Sequence, residues 1–418
     1  MSDQTKPNIV VGIGGGVAAY KACYVIRNFT ETGANVRAVP TDNALKFVGA
    51  ATLEALSGNG VSTTVFKDID EVAHVKIGQE ADGIVIAPAT ADLMARLAAG
   101  RADDLLTATV LVATCPVLIV PAMHTEMWNN PATQANVERL RSYGYTVMEP
   151  AHGQLTGKDS GPGRLPEPEQ IANLARTLFA GHRIEHTWEG RRVVITAGGT
   201  QENLDPVRYL GNRSSGRQGY ALAEAAAQRG ARVTLIAGDT DELPKPCGAE
   251  FVKVRSARQM LEAVEKHVRD ADIAIMAAAV SDYRPAHEAT SKMKKGSAGE
   301  ENLKHVEMVE NPDILRTVVE KREAGELPET LQIVGFAAET GDATHAPLEY
   351  GRQKLARKGC DMLMCNDVSN GGVFGALRNS GWLLHKDGGE QEIADGTKLD
   401  VAAEILAAID ELNHSLKD

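Results

Sequence analysis

Short apolar runs and longer helix-spaced segments alternate along almost the whole chain. Residues 8–12 (NIVVG), 36–39 (VRAV), 83–87 (GIVIA) and 116–121 (PVLIVP) are nearly unbroken apolar stretches bounded by Gly, Pro or polar residues, the pattern of strands buried on both faces. Between them the spacing predicts a helix over 17–32 and another opening at Pro40-Thr41-Asp42, with Thr41 as a cap or as a hydroxyl offered to a phosphate. Residues 153–168, rich in Gly and Pro, predict a loop or flap, and 171–179 a closing helix. After a polar stretch at 181–190 the alternation resumes, with strands over 193–195, 233–236, 252–255 and 273–277 and helices over 221–229 and 257–269.

Strand followed by helix, repeated, gives a parallel sheet covered on both faces. The fold class is therefore α/β, as two doubly wound parallel-sheet domains, 1–182 and 190–418. Ligands of such sheets bind at the carboxyl ends of the strands. At 418 residues and 43% hydrophobic content, each half can build its own core. The formal net charge of −12 argues against a nucleic-acid or membrane-surface partner, which needs a broad basic face. No apolar run approaches the roughly 20 residues of a spanning helix, and the N-terminus MSDQTKPNIVV has no signal-peptide pattern, so the expected location is cytoplasmic. Cys23, Cys115, Cys247, Cys360 and Cys365 are scattered and include no C-x-x-C pair, which indicates neither a disulfide framework nor a zinc site.

The second half is organised around residues 192–238. Gly198, Gly199, Gly211, Gly216 and Gly219, interleaved with Asn212, Arg213, Ser214 and Ser215, can bring amides, hydroxyls and a cation to an anion at a helix N-terminus. The inserted QENLDPVRYLGNRS is too long for the tight turn of a dinucleotide fingerprint, which disfavours a nicotinamide dehydrogenase. Tight packing is the competing account of these glycines. Asp282, after a strand end, suits a metal or phosphate site or a simple turn cap, and Lys292, Lys294 and Lys295 beside Gly296 form a cationic loop or a solvated charge run. Lys354 and Lys358 lie one helical turn apart, placed to reach phosphates together. In the first half the strand-end loops are 14–16, Thr41, 87–90 and 121–124. His74 is either a hydrogen-bonded structural residue or an acid–base group. His124 with Glu126 imitates the H-x-E of zinc deaminases, but no P-C-x-x-C follows.

Residues 196–223, TAGGTQENLDPVRYLGNRSSGRQGYALA, resemble the signature of the phosphopantothenate-cysteine ligases, supported by KMKK at 292–295, NPDI at 311–314 and VGFAAET at 334–340. The first half resembles the flavin-binding cysteine decarboxylases through GGVAAYK (15–21), ALKFV (44–48), IAPAT (86–90), ADDLL (102–106), PAMHTEMW (121–128) and GPGR (161–164). The chain as a whole is thus similar to the bacterial bifunctional proteins of coenzyme A synthesis. That resemblance implies FMN held at Gly15, Gly16, Thr41, Ala89, Thr90 and Met123, with His74 as the catalytic histidine. It implies CTP held at Gly198, Ser214, Ser215, Gly216, Ala278, Asp282, Lys292, Asn311, Pro312, Asp313, Ile314, Phe336, Lys354 and Lys358, with Mg²⁺ at Asp282. Asn212 is implied to contact an acyl-cytidylate made from 4'-phosphopantothenate before cysteine attacks. A homo-oligomer is implied too, with trimeric decarboxylase and dimeric ligase domains combined into a dodecamer.

Two departures stand out. Where the decarboxylases carry asparagine in P-x-M-N this chain has His124, and Thr156, Gly157 and Lys158 replace the flap's cysteine. His124, then Lys158, are the groups offered in that cysteine's place. The same departures support an alternative, a live ligase fused to a flavin-binding regulatory domain that has lost decarboxylation.

Overall fold

The computed structural model describes residues 6–65, 72–154, 160–182, 184–293, 306–341, 345–368 and 375–415. Lys158, Lys294, Lys295 and Gly296, for which the sequence sets expectations, lie outside these residues. Two compact units are present, Met1–His186 and Thr187–Asp418.

In the first unit, β1 (Asn8–Ile13), β2 (Asn35–Pro40), β3 (Gly83–Ala89), β4 (Val117–Pro121) and β5 (Thr146–Val147) form an all-parallel sheet in the order β2-β1-β3-β4-β5. β3 and β4 are buried at every position, as a sheet sandwiched between helices requires. Ile84, Ile86, Leu93, Met94, Leu106 and Ile119 lie in its core, each contributing roughly 1.5 to 3 kcal/mol by leaving water. The helix Pro168–Phe179 turns Ile171, Leu174, Ala175 and Leu178 inward at helical spacing and is started by Pro168 and a capping box between Glu167 and Gln170.

Three local expectations change. Residues 17–32 form a 3-10 segment, Val17–Lys21, that runs into the helix Ala22–Thr30. No regular helix opens at Thr41, because its hydroxyl donates to the Ile13 carbonyl and accepts from the Ala44 N–H (both 3.2 Å), which closes a short 3-10 turn, Ala44–Lys46. The helix Ala50–Ser57 starts only after Gly49. The Gly- and Pro-rich flap is a two-stranded antiparallel ladder, β6 (Ala151–Gln154) with β7 (Ser160–Arg164), rather than an irregular loop.

The second unit begins with β8 (Arg192–Ala197), followed by the short ladder of β9 (Gln201–Asn203) and β10 (Tyr209–Gly211). Its main sheet adds β11 (Arg232–Ala237), β12 (Ala249–Lys253) and β13 (Ile273–Met276), and a second small ladder pairs β14 (Tyr283–Pro285) with β15 (Met308–Glu310). β16 (Gln332–Glu339), β17 (Met362–Asp367), β18 (Arg378–His385) and β19 (Glu390–Thr397) complete the order β12-β11-β8-β13-β16-β17-β18-β19. Six of the eight strands are mutually parallel, but β18 and β19 are antiparallel, so the sheet is not parallel throughout. The final helix, Lys398–Ser415, packs on the helix Arg217–Gln228.

Trp188, in the stretch the sequence marks as a boundary, is fully buried in this second unit. Its ring lies between the guanidinium groups of Arg191 and Arg229, 5.2 and 4.8 Å from its centre. Asp410 of the final helix accepts from the Trp188 indole (2.8 Å) and pairs with both arginines.

Candidate functional site

At the carboxyl end of the first sheet, three loops crowd together. A side chain at Gly14 would meet the Pro88 carbonyl at 2.5 Å, and one at Gly15 the Asn43 Cβ at 2.4 Å, so only glycine lets the turn after β1 approach its neighbours this closely. Thr41 is buried, as is Ala89, whose carbonyl accepts from the Ala122 N–H (3.0 Å). Thr90 caps the helix Ala91–Ala98 by accepting from the Leu93 N–H (3.3 Å), which leaves its hydroxyl proton for another acceptor. The Met123 N–H donates to Gly163 of the flap (2.9 Å), and the Thr125 hydroxyl donates to Pro162 (2.8 Å). Glycine-loop amides and a threonine hydroxyl above a helix start fit a phosphate, and this donor set fits a flavin mononucleotide.

The two histidines stand in different surroundings. His124 is exposed at the start of the short helix Thr125–Trp128 and makes no capping bond with its side chain. His74 lies in the first turn of the helix Ala73–Glu80 and lines a cavity of about 240 Å³ with Val65, Ala102, Ala108, Leu111 and Val112. None of the glycine-loop residues lines that cavity. The buried Nδ1 of His74 has no partner among the described residues, and Val72, two residues before it, holds φ of 46°, a strained value for a β-branched side chain.

The second unit presents a cleft of about 660 Å³ at the carboxyl ends of β8, β13, β16 and β17. Asn212, Ser214, Ser215, Gly216, Ala278, Asp282, Asn311, Pro312, Asp313, Ile314, Phe336, Lys354 and Lys358 all line it. Gly198 and Lys292 do not. Gly216 holds φ of 74° immediately before the helix Arg217–Gln228, a left-handed turn that suits glycine and aims the helix start at the cleft. Ser214 accepts from the Gly216 N–H (3.3 Å), and the Asn212 amide donates to the Val280 carbonyl (2.9 Å), which ties the glycine loop to the segment after β13. Asn311 donates from its amide to Ser281 (2.9 Å), and Asp313 caps the helix Ile314–Glu323.

The cleft cations largely carry counter-ions already. Lys354 pairs with Glu339 (3.0 Å), Lys358 with Asp313, and Arg217 with Asp241 (3.1 Å). Phe336 offers a half-buried aromatic face on which a base can stack. Asp282 is exposed, and no group of three metal-ligating side chains occurs among the described residues. A lone carboxylate still fits Mg²⁺, which usually takes one or two carboxylates and completes its shell with phosphate oxygens and water. Sequence reasoning missed Arg217, Gln218, Asn379 and Lys398 on this cleft. Arg217 and Gln218 directly follow the Gly216 turn, which was the available signal for those two.

Lys292 is exposed, but its neighbour Met293 is buried and held by Asp205, which accepts from its N–H (3.3 Å), and by Arg208, which donates to its carbonyl (3.2 Å). Burial by itself pushes the Asp205 carboxyl up. The N–H groups of Val207, Arg208 and Met293 and the Arg208 charge outweigh that and hold it below the usual carboxylate range. A lowered carboxyl stabilises the fold above its unfolded value near 3.9 and loses that contribution as pH falls through its folded value. Asp205→Asn is therefore expected to melt lower than wild type at pH 7, with the two melting curves converging as pH drops below about 4. A gap that stays constant over pH 3 to 6 contradicts this role.

Among the described residues no helix is long and apolar enough to cross a membrane. A flavoprotein family model matches residues 1–179, and the DNA/pantothenate metabolism flavoprotein C-terminal domain model matches residues 188–412. The coenzyme A biosynthesis bifunctional protein CoaBC of Mycolicibacterium smegmatis is 56% identical over 405 residues, covering 97% of each chain. Its namesake from Bacillus subtilis is 44% identical over 406 residues, covering 96% of each. Among solved structures, the C-terminal domain of a CoaBC protein matches 55% of this chain and 99% of its own at 36% identity and a TM-score of 0.44. On the strength of full-length matches through both units, this chain belongs to the family of bifunctional coenzyme A biosynthesis proteins.

Proposed function

We propose that the second unit joins 4'-phosphopantothenate to cysteine at the expense of CTP, and that the first unit decarboxylates the product to 4'-phosphopantetheine with FMN. The observation that carries the ligase reading is the single cleft onto which the glycine loop, Asp282, the 311–314 turn, Phe336 and two lysines converge. The substrate carboxylate attacks the α-phosphorus of CTP, pyrophosphate leaves, and the cysteine amine then attacks the acyl carbon and releases CMP. Ser214, Ser215 and the amino end of the helix Arg217–Gln228 face the phosphates, Lys354 and Lys358 offset the charge that builds on the leaving group, and Asn212 orients the acyl-cytidylate. Mg²⁺ at Asp282, when bound, adds Lewis-acid stabilisation.

In the first unit, Gly15, Gly16, Thr41, Ala89, Thr90 and Met123 hold the FMN, which supplies reversible two-electron oxidation of the cysteinyl thiol. His74 removes or positions the substrate proton, and His124 clasps the substrate or returns a proton where the flap has no cysteine. The exposed Val17, Tyr20 and Tyr24 on one unit and Tyr209 and Leu210 on the other support association between copies of the chain.

The test is direct. Purified protein should be yellow, with oxidised-flavin absorbance, and should release CO₂ when given 4'-phosphopantothenate, cysteine, CTP and Mg²⁺. Amide product without CO₂, from a protein that still binds flavin, points instead to a live ligase fused to an inactive flavin-binding domain, the reading that His124 supports.

A further inference from the structure

Among the described residues two cleft cations have no carboxylate partner, the exposed Arg213 and the more enclosed Lys398. Lys398 is half-buried at the start of the final helix, where its backbone accepts from Gln218 (3.0 Å) and its N–H donates to Leu377 (3.3 Å). Its ammonium lines the cleft and forms no ion pair or hydrogen bond among the described residues. Beside it on the same cleft, Asn379 is 3% exposed and donates to Gln218 (3.0 Å), while its Oδ1 has no partner among the described residues. Asn366 likewise leaves a buried Oδ1 unpartnered. A half-buried ammonium without a counter-ion is costly in a folded chain unless an anion joins it, and the two buried amide oxygens need a hydrogen-bond donor.

The charge around Lys398 is one-sided. The helix Arg217–Gln228 contributes Arg217, already shared with Asp241, together with the positive end of its dipole. β18 contributes Asn379 and Arg378, the latter occupied by Asp395 of β19. β17 contributes Asn366, and on its own helix Asp400 is occupied by the Thr397 N–H (2.8 Å). Burial, and then Arg217, push the Lys398 ammonium down to about 8. An anion to set against the Lys398 ammonium is what this corner lacks.

We propose that Lys398 is a phosphate-binding residue of the cleft, acting with Arg217 at the amino end of the helix Arg217–Gln228 to hold phosphate oxygens of the ligand. The identity of that ligand rests on the ligase reading, and the phosphate belongs either to the pyrophosphate end of the nucleotide or to the 4'-phosphate of the acid substrate.

The experiment titrates inorganic pyrophosphate into the full-length chain, as wild type, Lys398→Met and Lys398→Arg, at pH 7 and pH 9. Wild type is expected to bind at least about tenfold more tightly than Lys398→Met at pH 7, the usual worth of a hydrogen bond to a charged group. That advantage shrinks at pH 9 as the lysine deprotonates, while Lys398→Arg keeps it at both. Lys398→Met should melt no lower than wild type, whereas a packing role would lower its Tm. Equal pyrophosphate affinity in wild type and Lys398→Met, or an advantage that does not change with pH, overturns the proposal. Steady-state kinetics then separate the sources: a higher KM for CTP assigns the nucleotide phosphates, and a higher KM for 4'-phosphopantothenate assigns its own. A rise in the cysteine KM alone also overturns the proposal. Should wild type make no amide at all, the ligase reading fails, and the pyrophosphate titration still decides the role of Lys398.

Discussion

Replacing His74 by asparagine should slow flavin reduction by phosphopantothenoylcysteine by a factor of about 10² to 10⁴, the usual cost of losing a positioned acid–base group. Ligation should be untouched, because His74 lies in the first unit and the ligase cleft in the second. Two features support that role: the buried Nδ1 of His74 has no partner among the described residues, and the turn that delivers it is strained at Val72. His124→Asn should behave differently. Flavin reduction and CO₂ release should persist while reoxidation slows, since on the proposed reading the exposed imidazole acts after the carbon–carbon bond has broken. Stopped-flow absorbance follows both phases, and wild-type reoxidation in His124→Asn assigns the proton to another group.

Lys292→Gln should cost about 2 to 4 kcal/mol of transition-state stabilisation, a 10² to 10³ loss of CTP turnover, with flavin content normal. Lys292 is exposed and off the cleft, but it is tethered at Met293, which Asp205 and Arg208 pin beside the glycine-loop insertion. Pyrophosphate release measures the effect, and an unchanged rate reduces this lysine to part of a solvated charge run.

Most of the parallel strands were legible because burial on both faces demands unbroken apolar runs, as in β3 and β4, whereas the two-residue β5 and the part-exposed β12 carry little of that signal. The cleft residues were legible where they cluster in short stretches, as at 212–216 and 311–314, since each stretch carries its own turn chemistry. Lys398 and Asn379 carried no such signal. They reach the cleft only because β18 runs antiparallel to β17, which brings its first residues back to the carboxyl end of the sheet. The flap misled for a related reason: its glycines mark close approach to the 123–125 turn, where a side chain at Gly163 would meet the Met123 carbonyl at 2.3 Å, rather than irregular backbone.

The knot of Trp188, Arg191, Arg229 and Asp410 joins the first residues of the second unit to its last helix. A fragment meant to fold by itself must therefore keep both ends of that clasp, starting no later than Thr187 and running past Asp410. Cutting at residue 190, where the polar stretch ends, would discard the buried indole and leave two arginines and an aspartate without the ring they enclose. The same joining of ends makes the second unit a natural candidate for circular permutation, with new termini opened in an exposed loop such as the Asp387-Gly388 turn.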